Sequence, residues 1–195
     1  MEKVAIYGWA FNPPTLWHQT VMTKMLSQKK VDKIIFTPDW DRLDKDYWVS
    51  KNLRIKMLEN FYESILNQWF NVDFEDHFLK QKAQKTTTMD VERYFIEKLG
   101  LQPHHIFWID VIESMPNWSW NINHYLENDL KKIFLNRKWF ILPKNIAMKN
   151  YIVLDLDILE VSSTMARQAI KTKQSVDSIL SLPVRDFVLN NGMYA

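Results

Sequence analysis

Glycine is scarce in this chain: 3 of 195 residues, against 9 tryptophans. A typical protein has about 7% glycine, so the shortage is itself a clue. Cysteine is missing altogether, which excludes disulfides, thiolate catalysis and zinc–cysteine sites and fits a reducing compartment. No charge of one sign dominates. The net charge is +2 with 25% charged residues, so nothing electrostatic points to a nucleic acid or a membrane surface as partner. No apolar run approaches the length of a membrane span. Met1-Glu2-Lys3 leads into an apolar run too short for the core of a signal peptide. A cytoplasmic protein is expected.

Hydrophobic residues make up 47% of the chain, enough for one sizeable core, and a single domain over residues 1–195 is the default. Strand-like and helix-like segments alternate throughout. Lys3-Val4-Ala5-Ile6-Tyr7, Lys33 to Thr37, Asn71 to Phe74, His105 to Ile109, Lys132 to Leu135 and Ile152 to Leu154 read as strands. Leu16, Val21, Met22, Met25 and Leu26 recur at helical spacing. So do Leu53, Met57, Leu58, Phe61, Ile65 and Leu66. Thr86-Thr87-Thr88 opens a helix that Gly100 stops, Ser162-Ser163-Thr164 starts another, and a last one begins near Pro183. Strands separated by helices of about 10–15 residues predict an α/β fold, Rossmann-like, with a mostly parallel sheet and helices on both faces. Such sheets bind ligands beyond the carboxyl ends of their strands. The turn Gly8 to His18, Thr37 to Asp39, Asp110 and Ser162 all follow strands and could converge on one crevice.

The turn after the first strand is the most specific stretch. It aims backbone N–H groups and a helix N-terminus at whatever binds there, and both favour an anion such as phosphate. His18 lies in the first turn of the following helix; taken alone it could simply cap that helix or face solvent. Gly8-x-x-Phe11-Asn12-Pro13-Pro14-Thr15-x-x-His18 resembles the signature loop of the nucleotidyltransferase superfamily. Its Phe-Asn-Pro-Pro is most similar to the nicotinate or nicotinamide mononucleotide adenylyltransferases. Ser162-Ser163-Thr164-Met165-Ala166-Arg167 is an ordinary helix cap by itself, but it is similar to that family's second signature.

The resemblance implies an enzyme that transfers AMP from ATP to nicotinate or nicotinamide mononucleotide, releasing pyrophosphate. It implies that Thr15, His18 and Arg167 are catalytic. Gly8, Phe11, Asn12, Ser162, Ser163 and Thr164 would bind ATP, and Thr88, Asp110 and Trp118 the pyridine nucleotide. The alternative for Trp118 is a plain core residue, and Lys45, a looser match to a phosphate-approaching base, reads more simply as a solvated lysine. Mg²⁺ would be held through substrate phosphates with no dedicated protein ligands. The expected partners are small-molecule nucleotides. Adenylyl transfer develops negative charge on the α-phosphate and on the leaving pyrophosphate, which a positioned imidazole and a helix N-terminus can stabilise without a covalent intermediate. Transfer to another phosphate substrate, or binding without catalysis, are the alternatives.

Trp9, Trp17, Trp108 and Trp139 fall where the resembling family has glycine. Glycine occurs in such places for positive φ or for close approach to a ligand, so an indole beside His18 should obstruct the site. Either this is a homologue with a blocked site, or UGA codons that encode glycine have been read as tryptophan. Trp40, Trp48, Trp69 and Trp120 also lie where glycine would be natural.

Overall fold

The computed structural model describes residues 2–38, 49–66, 68–80, 87–114, 130–136, 149–157 and 161–195. Its elements in chain order are β1 (Val4–Trp9), α1 (Leu16–Ser27), β2 (Lys33–Pro38), α2 (Lys51–Leu66), β3 (Val72–Phe74), α3 (His77–Lys80) and α4 (Thr88–Leu99). They continue with β4 (His104–Trp108), α5 (Val111–Ser114), β5 (Lys131–Leu135), β6 (Tyr151–Leu154), α6 (Ser163–Lys171) and α7 (Leu182–Asn190). Lys45, Trp40, Trp48, Trp118, Trp120 and Trp139 lie outside the described residues.

The six strands form one sheet in the order β3-β2-β1-β4-β5-β6, and every pair is parallel. The fold is therefore α/β and Rossmann-like. Because side chains alternate along a strand, a parallel sheet covered on both faces needs apolar residues at successive positions. β1 shows this directly. Ala5 and Tyr7 join a core with Met22 and Met25 of α1, Phe61 of α2 and Val184 of α7. Val4 and Ile6 instead pack with Phe78 of α3 and Phe95 of α4. No helix among the described residues is long and apolar enough to cross a membrane.

Local capping sets the helix ends. The Thr87 side chain accepts from the Asp90 N–H at 3.2 Å, and the Asp90 carboxylate accepts from the Thr87 N–H at 2.8 Å. That reciprocal pair starts α4 one residue beyond Thr87. Gly100, at φ 66°, ends α4 in the left-handed conformation, which glycine adopts without steric cost. After α2 the same job falls to a tryptophan: Trp69 has φ 62°, donates its N–H to the Leu66 carbonyl at 3.1 Å, and leaves its indole 97% exposed. At the amino end of β4, His105 Nε2 lies 2.6 Å from a Glu92 carboxylate oxygen whose partner oxygen accepts from Gln102. This buried polar pair ties α4 to the sheet, away from the carboxyl ends of the strands.

Candidate active site

β1 and β4 are neighbours in the sheet, but the chain leaves them in opposite directions, towards β2 and towards β5. Such a switch point opens a crevice at the carboxyl ends of the two strands, where ligands bind in open α/β sheets. The segment Ala10 to Thr15 leaves β1 there, and Ile109 and Asp110 follow β4.

Thr15 is the N-cap of α1, in extended conformation, and His18 is the third helical residue. The Thr15 N–H donates to His18 Nδ1 at 3.0 Å, with the Thr15 hydroxyl 2.8 Å from the same nitrogen. A glutamate or glutamine usually makes this return contact to the cap; here the imidazole makes it. A nitrogen that accepts a backbone N–H carries no proton, so the neutral ring has its proton on Nε2. His18 is buried, and burial lowers its pKa from 6.5 to about 3. Nε2 is itself buried, with no hydrogen-bond partner among the described residues. His18 therefore presents a neutral N–H donor, not an imidazolium. Leaving such a donor unsatisfied costs roughly 1–3 kcal/mol, which a ligand acceptor would recover.

The second motif closes onto the first. Ser162 caps α6, its side chain accepting from the Met165 N–H. Ser163 Oγ donates to the Pro13 carbonyl at 2.8 Å, across 150 residues of sequence. Arg167 donates through Nη1 to the Asn12 carbonyl at 2.6 Å and through Nη2 to Thr164 Oγ1 at 3.1 Å. Burial lowers the Arg167 pKa from its ordinary value, though the group remains a cation at any working pH. The exposed hydroxyls of Ser162 and Thr164, the helix N-terminus and the guanidinium thus share one corner. That corner suits an anion.

Two residues with no assigned role in the sequence complete the loop's support. Arg54 of α2 is fully buried and donates through Nη2 to the Ala10 carbonyl at 3.0 Å. The Tyr194 hydroxyl donates to Asn12 Oδ1. An arginine inside the apolar face of α2 was the available sign for the first; nothing local marks the second. Phe11 turns its ring into the core, fully buried against Tyr7 and Phe36 at centroid distances of 5.4 and 5.6 Å. What it offers the crevice is backbone. A Cβ placed on Gly8 would meet Thr37 Cγ2 at 3.9 Å, ordinary contact, so packing within the protein does not demand glycine there.

The structure thus brings Asn12, Thr15, His18, Ser163, Thr164 and Arg167 together. Thr88 opens α4, whose short link to β4 places that helix N-terminus toward the carboxyl edge of the sheet. Asp110 lies two residues past β4.

The tryptophans occupy the other wall. Trp17, in the first turn of α1, stacks on Trp108, the last residue of β4, with centroids 3.9 Å apart and planes at 26°. Trp17 also meets the His18 ring edge-on at 5.2 Å. Trp108 is 2% exposed, and Trp9 ends β1 half-buried. The stacked pair stands at the carboxyl end of β4, with Trp17 against the His18 ring.

No family model matches the chain. Among curated proteins it is 27% identical over 199 residues to the nicotinate-nucleotide adenylyltransferase of Bacillus subtilis, covering 100% of this chain and 99% of that one. It is 25% identical over 205 residues to a Clostridium tetani protein named "Probable nicotinate-nucleotide adenylyltransferase", covering all of both chains. Among solved structures it superposes on the nicotinic acid mononucleotide adenylyltransferase of Plasmodium falciparum complexed with NaAD, with TM-score 0.81 and 19% identity. That match covers 100% of this chain and 98% of the other. The chain is thus similar from end to end to nicotinate-nucleotide adenylyltransferases, and its fold agrees with that of the solved enzyme.

Proposed function

We propose that this protein transfers AMP from ATP to nicotinate mononucleotide as one domain over residues 1–195, in the cytoplasm, in the synthesis of NAD. A 5′-phosphate oxygen of the mononucleotide attacks the α-phosphorus of ATP. The bond from that phosphorus to the α–β bridging oxygen breaks, and pyrophosphate leaves with the bond's electron pair. His18 donates its Nε2–H to an α-phosphate oxygen as charge builds there. Thr15 holds the imidazole in the required tautomer through its backbone N–H. Ser162, Ser163, Thr164 and Arg167 receive the outer phosphates, with Gly8, Phe11 and Asn12 lining the ATP site through the loop. Thr88, Asp110 and Trp118 are assigned to the pyridine nucleotide on the family resemblance.

These donors are hydroxyls, amides and a guanidinium. They fit phosphate oxygens, and a Mg²⁺ ion carried on those phosphates would neutralise charge without a protein cage. The observation that carries this reading is the buried, proton-bearing Nε2 of His18 without a partner among the described residues, beside a corner suited to anions.

One observation favours a second reading, nucleotide binding without turnover: Trp17, stacked on Trp108, stands against the His18 ring. Pyrophosphate release from ATP, Mg²⁺ and either nicotinate or nicotinamide mononucleotide separates the two. Release with nicotinate mononucleotide supports the transferase. Binding of ATP with no release under either condition supports the second reading.

A further inference from the structure

The loop that leaves β1 carries Asn12 and, at its end, the cap residue that orients His18. Its carbonyls cannot all be satisfied by regular secondary structure, so the surrounding elements hold them one by one. Arg54 of α2 takes the Ala10 carbonyl, Arg167 of α6 takes the Asn12 carbonyl, and Ser163 takes that of Pro13. The Leu16 N–H, just past the loop, donates to the Ile179 carbonyl at 2.8 Å. All four contacts fix backbone.

Tyr194 reaches a side chain instead. Its hydroxyl donates to Asn12 Oδ1 across 182 residues and lies 3.8 Å from Met57 Sδ of α2. We infer that Tyr194 is a positioning residue for the nucleotide-binding loop, latching the Asn12 amide so that the loop keeps its ligand-ready shape. The contact decides which side of the Asn12 amide carries the oxygen and hence where its two N–H donors point. The phenol can act only while protonated. Burial pushes its pKa above the ordinary value against the opposing pull of Arg167 and Arg54, so the donor is present at every working pH. With its hydroxyl on the Asn12 amide and 3.8 Å from Met57 Sδ, Tyr194 adds a side-chain link between the loop and α2 to the backbone link that Arg54 makes.

The inference rests on the adenylyltransferase reading for its consequence but not for its geometry. The test is Tyr194→Phe, which keeps the ring and removes the hydroxyl, compared with the unaltered chain by two measurements. Amide hydrogen exchange follows the peptides spanning residues 8–18, and equilibrium dialysis gives the Kd for ATP with Mg²⁺, which needs no turnover. Losing one hydrogen bond should weaken ATP binding about fivefold and speed exchange in that segment by a similar factor. Protection of α7 should stay the same and the melting midpoint should fall by only about 2–4 °C, the worth of one hydrogen bond, which separates a latch from a structural prop. Tyr194→Ala should add a larger fall in the midpoint. Unchanged Kd and unchanged loop exchange in Tyr194→Phe overturn the latch, as does a loss of protection that reaches α7. An unaltered chain that binds no ATP overturns the functional reading instead, and loop exchange then decides the latch alone.

Discussion

The two walls of the switch-point crevice are built on different principles. On one wall, Ser163, Arg167, Arg54 and Tyr194 each make a hydrogen bond to the loop after β1, and His18 is fixed by its own cap. Its polar groups are held in place before any ligand arrives, the arrangement that makes electrostatic stabilisation effective. The other wall is aromatic and closed on itself. Trp17 and Trp108 stack face to face, and Trp108 is as buried as a core residue. Preorganisation thus serves a ligand on one side, and on the other it satisfies the protein's own side chains. A chain can keep its phosphate chemistry intact while the space beside it is taken.

The polar wall is tested most severely at His18. His18→Ala should lower kcat about 10²–10³-fold, as loss of one preorganised donor does, with a much smaller change in ATP Kd; steady-state kinetics and dialysis give both. A fall confined to binding would place His18 outside the chemistry and remove the contrast between the walls.

The aromatic wall is tested by Trp17→Gly combined with Trp108→Gly. Removing a buried Trp ordinarily costs about 3–5 kcal/mol, so the free variant should melt well below the unaltered chain. If the stack occupies ligand space, ATP should bind the variant about tenfold more tightly, since no aromatic pair has to open. Saturating ATP should then recover part of the lost stability. Thermal melts with and without ATP decide. A variant that is destabilised and binds no better would make the tryptophans plain core.

A third measurement sharpens the polar wall through pH. The folded pKa of His18 is about 3 against an unfolded value near 6.5, so between those values the unfolded chain binds more protons. The stability from burying neutral His18 is complete above pH 6.5 and is lost as pH falls towards 3, by up to about 1.4 kcal/mol per unit. Denaturant midpoints of the unaltered chain and His18→Asn from pH 7 to pH 4 should converge by this amount. In the same way, kcat should show no step near pH 6.5 from His18. The smallest effect is expected at Trp69. Trp69→Gly removes a left-handed side-chain penalty and almost no packing, so it should raise stability by about 1 kcal/mol, read by urea unfolding. A loss there would show that the exposed indole contributes something.

Much of this architecture was legible in the sequence because its signals are local. The strands showed in their apolar residues, though β3, with Asp73 at its centre, was no apolar run, and Ser162, Thr87 and Gly100 announced helix ends by cap chemistry. Boundaries moved slightly: β4 runs His104–Trp108 instead of His105–Ile109, so Trp108, which stacks on Trp17, is its last residue. The single-turn helices α3 and α5 are too short to show a period. The strand order was not readable, because a parallel pairing such as β1 with β4 leaves no mark in either segment. In the site, the two motifs could be named, but not that Arg167 spends a donor on the Asn12 carbonyl or that Phe11 faces inward. Arg54 and Tyr194 escaped for the same reason: their partners are more than forty and more than 180 residues away. The Glu92–His105 pair, 13 residues apart, depends on how α4 lies across the sheet.

Because the loop after β1 is held by contacts spanning 150, 155 and 182 residues, its timing during synthesis is constrained. β1, the loop and α1 leave the ribosome early, but Ser163, Arg167 and Tyr194 come much later. Contacts of such sequence separation form slowly, since the intervening chain must first be ordered. A nascent chain can therefore pair β1 with β2 and bury α1 long before anything holds Asn12 and Pro13. The crevice is assembled last, on a sheet already in place, so an interrupted chain would leave a folded first half that cannot yet grip a nucleotide.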